Sequence, residues 1–181
     1  MWGEGQGPEH RLEACATGPP PKNTQTLMSQ IAGNLAEVRR RIEAAARRVG
    51  REPGGVRLVA VSKTVPLERL KEAVLAGHRL FGENYLQEAR EKITALGASL
   101  SWHLVGHLQT KKAKAAVDLF DLIHAVDRLK LARALEEAAQ RQGKIQDILL
   151  QVKLAEEETK SGAAPEEVPA LLQEIGRMPH L

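Results

Sequence analysis

The sequence predicts an α/β protein built around a parallel sheet. Short β-branched apolar runs alternate with helical stretches from residue 56 almost to the end, the pattern of repeated βαβ units. The units average about 25 residues, so eight of them with an N-terminal helix would approach the typical ~250-residue barrel. Hydrophobic residues make up 43% of the 181 and charged residues 27%, a balance that supports a packed core rather than disorder. Uncharged runs stay far below the ~20 apolar residues of a membrane span. The net charge of +3 is too small a surplus to argue for nucleic acid, and five aromatic residues offer few stacking platforms. A single cysteine, Cys15, excludes an internal disulfide and a multi-cysteine metal site. Without a secretory apolar segment, the expected location is cytoplasmic.

Residues 1–26 differ from the rest: they are rich in Gly and Pro, contain the run Pro19-Pro20-Pro21, and show no apolar period. They read as a disordered or spurious leader, with Met28 as an alternative start; Glu4, Glu9 and Glu13 argue against a transit peptide. The domain is expected over residues 27–181. It opens with a helix in which Leu27, Ile31, Leu35, Val38, Ile42, Ala45 and Val49 step by threes and fours, and Gly50 supplies the stop. The arginines on its other face read as solvated surface, with nucleic-acid binding a distant second reading. Strands are then expected at Val56–Ser62, His78–Gly82, Ser101–Gly106, Leu122–Val126 and Ile148–Leu154. Helices are expected at Pro66–Ala76, Tyr85–Leu96, Lys111–Val117, Arg128–Gln142 and Pro165–Ile175. Pro66 and Pro165 suit first-turn positions, and Asn84 and Asp127 suit caps. Periodicity fits both a smaller open sheet and a barrel lacking its last three units.

In α/β folds ligands gather beyond the carboxyl ends of the strands, so the candidates are the residues that end them. The first strand ends in Ser62-Lys63-Thr64, with Val59, Val61 and Lys63 on one face by alternation. A lysine there can act as an amine nucleophile toward an aldehyde, or simply reach water. The second strand ends at Glu83-Asn84, where Asn84 can cap a helix or present its amide to a ligand. In the third, His103 can form a hydrogen-bonding pocket wall or pack as an ordinary core histidine. His103 and His107 straddle a strand and a glycine, so they need not share a face, and no third metal ligand is in register. Lys111, Lys112 and Lys114 crowd a helix start, against the helix dipole. Glu158-Thr159-Lys160-Ser161-Gly162 follows the fifth strand. Neither a Walker loop nor a dinucleotide glycine fingerprint is present.

Four ordered motifs, Val59–Thr64, Phe81–Glu88, Trp102–Gln109 and Ile123–Asp127, continued by Lys160-Ser161-Gly162, resemble the pyridoxal phosphate homeostasis proteins of the YggS or PROSC type. The resemblance covers about Met28 to Leu181. It implies a β/α barrel of the alanine racemase N-terminal type, here about five of eight units plus an N-terminal helix. It also implies pyridoxal 5′-phosphate in a Schiff base with Lys63. Asn84 and His103 match positions that line the cofactor pocket, and Lys160 matches a loop lysine near it. Members buffer and deliver the cofactor to apo-enzymes, with no established turnover. A racemase-like enzyme is the alternative, but 181 residues leave no room for the second domain that would supply an opposing acid or base.

Lys111 and Lys153 stand where bacterial relatives usually carry Asn. The family's phosphate-holding loops fall in the last barrel units and would come after Leu181. Two lost charge-assisted hydrogen bonds at ~1.5–3 kcal/mol each would weaken binding by two to four decades. Weakened affinity is therefore expected, together with association through uncovered strand edges.

Overall fold

The computed structural model describes residues 22–97, 99–154 and 161–181, with side chains from residue 30 onward. Helix α1 spans Lys22–Arg48 and starts five residues before the expected boundary, because nothing between Lys22 and Thr26 breaks a helix. The expected leader otherwise lies outside the described residues. Ile31 and Leu35 of α1 pack on the core and Ala46 is buried, while Ala45 and Val49 are exposed. The true 3.6-residue period carries the contact seam from Ile42 to Ala46, one position off the expected stripe.

Five strands follow: β1 (Ala60–Val61), β2 (Leu80–Glu83), β3 (Ser101–Leu104), β4 (Leu122–Val126) and β5 (Asp147–Leu150). They alternate with α2 (Leu67–Leu75), α3 (Leu86–Leu96), α4 (Ala113–Leu119), α5 (Leu129–Arg141) and α6 (Val168–Ile175). All strand pairs are parallel and the spatial order is β1-β2-β3-β4-β5. Sequential order decides a question that periodicity leaves open. A doubly wound sheet reverses its strand order to place helices on both faces. Right-handed crossovers that always step the same way instead put every helix on one face, as in a β/α barrel.

The core lies between sheet and helices. Phe81, Leu104, Ile123, Leu131 and Leu135 are almost completely buried there, and the Phe81 and Trp102 rings stack with centroids 5.2 Å apart. His78 ties α1 to this layer. Its Nε2–H donates to the Leu80 carbonyl at 2.7 Å, which leaves Nδ1 to accept from Arg39 at 3.3 Å.

Several boundaries differ from expectation. β1 forms only at Ala60–Val61 because it pairs on one side alone among the described residues. Tyr85 and Arg128, rather than Asn84 and Asp127, cap α3 and α5, and Pro66 caps α2. Lys111 and Pro165 fall in 3-10 turns, Thr110–Lys112 and Pro165–Glu167, ahead of their helices.

Candidate functional site

The face of the sheet away from the helices is open, with Val61 51% and Leu149 47% exposed. Its middle is set by Gly82. A Cβ there would meet Val59 at 3.0 Å, Val105 at 3.3 Å and Val61 at 3.4 Å, so these residues share the open face. Lys63 lies two residues past the end of β1. It is exposed, and among the described residues its ammonium has no ion-pair partner. It occupies a turn closed by a hydrogen bond from the Val65 amide to the Ser62 carbonyl at 3.1 Å. The next residue in that turn, Thr64, has φ +60°, the one left-handed non-glycine among the described residues. Its hydroxyl donates to the Lys63 carbonyl at 2.7 Å.

Ser62 points the opposite way, into a buried charged cluster. Glu83 Oε1 accepts from Ser62 Oγ at 2.6 Å and from Lys92 Nζ at 2.8 Å. Lys92 also donates to Glu88 at 2.6 Å and to the Ser62 carbonyl. Glu88 in turn accepts from the Thr64 amide at 2.6 Å. The Lys92 ammonium, with help from that amide, holds the Glu88 carboxyl below the usual carboxylate range. Glu83 is fully buried and its Oε2 has no partner among the described residues.

Asn84 lies half-buried just past the end of β2, and its side chain is not spent on capping α3. The loop after β3 presses against it. A Cβ at Gly106 would sit 2.7 Å from both Asn84 Cα and Asn84 O, so only glycine allows that approach. Beyond Gly106, His107 Nδ1 and Ser161 Oγ share a hydrogen bond of 2.9 Å, and Gln151 Nε2 donates to the Ser161 carbonyl at 2.6 Å. The segment 161–164 also pairs with the chain beyond β5 through Lys153 N to Ala163 O and a Val152–Ala163 bridge. The carboxyl end of the sheet therefore gathers Lys63, Asn84, His107, Lys153 and Ser161 along one rim.

His103 lies one register step deeper, beside Gly82 and at the level of Val61. It is buried and hydrogen-bonded to His124 at 3.1 Å. Burial lowers the pKa of both imidazoles, and the His124 and Arg57 charges lower that of His103 further against the opposing pull of Asp121 and Asp147. His103 and His107 thus have different partners, and no group of three metal-capable side chains occurs among the described residues. Lys111 is an exposed residue of the 3-10 turn, whereas Lys153 is half-buried at the rim. Lys160 falls outside the described residues. Ser62, Glu83 and Glu88 lie inside the quoted motifs, where motif reading gives them no role, and Lys92 lies outside them. The Glu88–Lys92 spacing of four was a legible signal for a helical pair, but nothing local showed that it reaches back to the lysine strand.

A one-way-wound parallel sheet with an accessible lysine just past its first strand fits the barrel class to which the alanine racemase N-terminal domain belongs. The profile of that family, "Alanine racemase, N-terminal domain", matches residues 33–181. The chain belongs to this family and, within it, to the pyridoxal phosphate homeostasis proteins. It is 44% identical over 155 residues to the protein of that name from Pseudomonas aeruginosa, covering 85% of this chain and 67% of the relative. Against the Escherichia coli K12 protein the identity is 40% over 158 residues, covering 85% and 68%. Among solved structures, PipY of Synechococcus elongatus without PLP superposes at a TM-score of 0.72 with 39% identity, covering 83% of this chain and 66% of PipY. PipY with PLP bound gives 0.70 and 38%, with the same coverage. The chain thus spans about two thirds of the length of these relatives. No helix among its described residues is long and apolar enough to cross a membrane.

Proposed function

We propose that this chain binds pyridoxal 5′-phosphate covalently through Lys63 and serves intracellular homeostasis of that cofactor without catalytic turnover. The supporting observation is an exposed lysine, without an ionic partner among the described residues, at the carboxyl end of the first strand and toward an open face. The residues present fit the group. The Lys63 amine adds to the aldehyde carbon and water leaves, so C=N replaces C=O with no change of oxidation state. Asn84 offers an amide on the same rim, His103 and His124 form a floor one layer below, and Lys160, which the family resemblance puts near the cofactor, directly precedes Ser161 in sequence. When bound, the cofactor brings a conjugated ring that withdraws electrons from an attached amino group. Retention and release, rather than turnover, is the role of this chain's residues, with apo-enzymes that use the cofactor as recipients and the cytoplasm as the setting.

The test is incubation with pyridoxal 5′-phosphate, borohydride reduction, and intact mass with peptide mapping. One adduct on Lys63, absent from Lys63→Ala, is the expected result. Labels scattered over surface lysines, or none, would overturn the assignment. Loss of an α-proton from any amino acid in deuterated water, dependent on Lys63, would overturn the non-catalytic role.

A further inference from the structure

We infer that Lys92, together with Glu83 and Glu88, is a clamp that fixes the backbone on both sides of Lys63 and so sets the direction of its amine. The inference deepens the assignment of Lys63 as the attachment point and rests on it. Lys92 grips the Ser62 carbonyl, and through Glu88 it holds the acceptor of the Thr64 amide. The residues immediately before and after Lys63 are therefore fastened to α3, while Ser62 Oγ is fastened to Glu83 on β2. Between these anchors, Thr64 is held in the left-handed region. A β-branched residue stays there only when its surroundings over-determine it.

A buried ion pair by itself contributes little net stability, since the attraction mostly offsets desolvation. This one is unusual in where its hydrogen bonds go. Two of the five made by the cluster end on main-chain groups next to Lys63, and a third holds the Ser62 hydroxyl. The cost of leaving Glu83 Oε2 buried without a partner is borne at the same place. Lys92 faces the helix layer and Lys63 the open face, so Lys92 acts through the backbone and does not contact the ligand. It is a positioning residue.

The experiment uses the full 181-residue chain and measures the Lys63 adduct by borohydride trapping and peptide mapping across a range of pyridoxal 5′-phosphate concentrations. Lys92→Met and Glu88→Ala should each raise the half-saturating concentration by about tenfold, the scale of a strained left-handed residue released. Adding Thr64→Gly to either variant should recover part of the loss, because glycine adopts a positive φ without the strain that threonine carries there. Hydrogen exchange at the Thr64 amide needs no cofactor: it should be protected in the parent chain and freed in both variants. Unchanged half-saturation in Glu88→Ala, which removes only a half-buried carboxylate and leaves the core intact, would overturn the inference. A loss that Thr64→Gly fails to recover would overturn it too, since that marks general damage rather than lost positioning. If the parent chain places no adduct on Lys63, the assignment of Lys63 falls and amide exchange alone decides the clamp. A protected Thr64 that both variants release then upholds it, and an unprotected one overturns it.

Discussion

Gly106→Ala isolates how closely the ends of β2 and β3 must approach at the candidate site. The added Cβ would lie 2.7 Å from Asn84 Cα, 2.7 Å from its carbonyl oxygen and 2.9 Å from its Cβ. Carbon atoms settle near ~3.5–4.0 Å, so about 0.8 Å of separation must open. None of the three atoms belongs to a flexible side-chain end, and no rotamer change relieves the clash. One strand end has to move. Overpacking of a tight site costs ~1–3 kcal/mol, and rigid neighbours place this case near the top of that range. At ~2–4 °C per kcal/mol for a domain of this size, the melting temperature should fall by about 5–10 °C. Because the displaced residue is Asn84, the yield of Lys63 adduct should fall in folded protein as well. Gly54→Ala is the matched control, since a Cβ there meets nothing within 4 Å. The pair is measured by thermal unfolding and by borohydride trapping side by side. A Gly106→Ala chain that melts within a degree of the parent, with the same adduct yield, would refute the close-approach argument.

Two further outcomes follow from the core and from the buried imidazoles. Phe81→Ala removes a ring 1% exposed and packed between Trp102 and His78, and should cost ~3–5 kcal/mol in urea unfolding; a loss below ~1 kcal/mol would show that the site collapses freely. His78, His103 and His124 all have pKa values lowered from the ordinary 6.5, mainly by burial. The unfolded chain then takes up protons near pH 6.5 that the folded chain refuses, so stability is full above about pH 7.5 and falls as pH drops through 6.5. Melting at pH 7.5 and 5.5 checks the sign, and His124→Gln should flatten the slope; a melting temperature that rises on acidification would contradict it.

Much of the fold was legible because its signals are local. Each helix carries its own apolar stripe and each strand its β-branched run, so all five units were found in order, with errors confined to ends. Those errors have physical causes. β1 shortened because ladder hydrogen bonds depend on a neighbour, and the caps shifted because Asn84 and Asp127 fall one residue before the position where a cap acts. At the candidate site, the position of Lys63 and Asn84 at the carboxyl end of the sheet was legible from where the strands were expected to end. The Gly106–Asn84 contact and the His103–His124 pair were not, since both join residues about twenty apart through strand register. Sequence spacing does not encode register between parallel strands. The choice between barrel-type and doubly wound sheets was also closed to periodicity, because both give the same alternation and differ only in the direction of each crossover.

The two faces of the sheet divide the work, and the residues around Lys63 show how the division is made. On the helix side burial is nearly complete and mostly apolar, and the buried polar side chains of the molecule include His78 and Gln146 as well as the cluster of Glu83, Lys92 and Ser62. On the other side Val61 and Leu149 are exposed, while His103 is buried against His124. Ser62, Lys63 and Thr64 stand at the boundary: Ser62 is buried while Lys63 and Thr64 are exposed in the turn after β1. A lysine on such an edge strand would ordinarily wander, because a single ladder and a four-residue turn leave it little restraint. On the proposed clamp, charge buried behind the sheet would restrain it without occupying the open face. That proposal gives a reason for an ion cluster in a mostly apolar layer, close to an exposed amine. It also makes the stability of the layer and the aim of the amine separable properties: Phe81→Ala should weaken the first, Glu88→Ala the second, and a chain in which both always fail together would not have this division of labour.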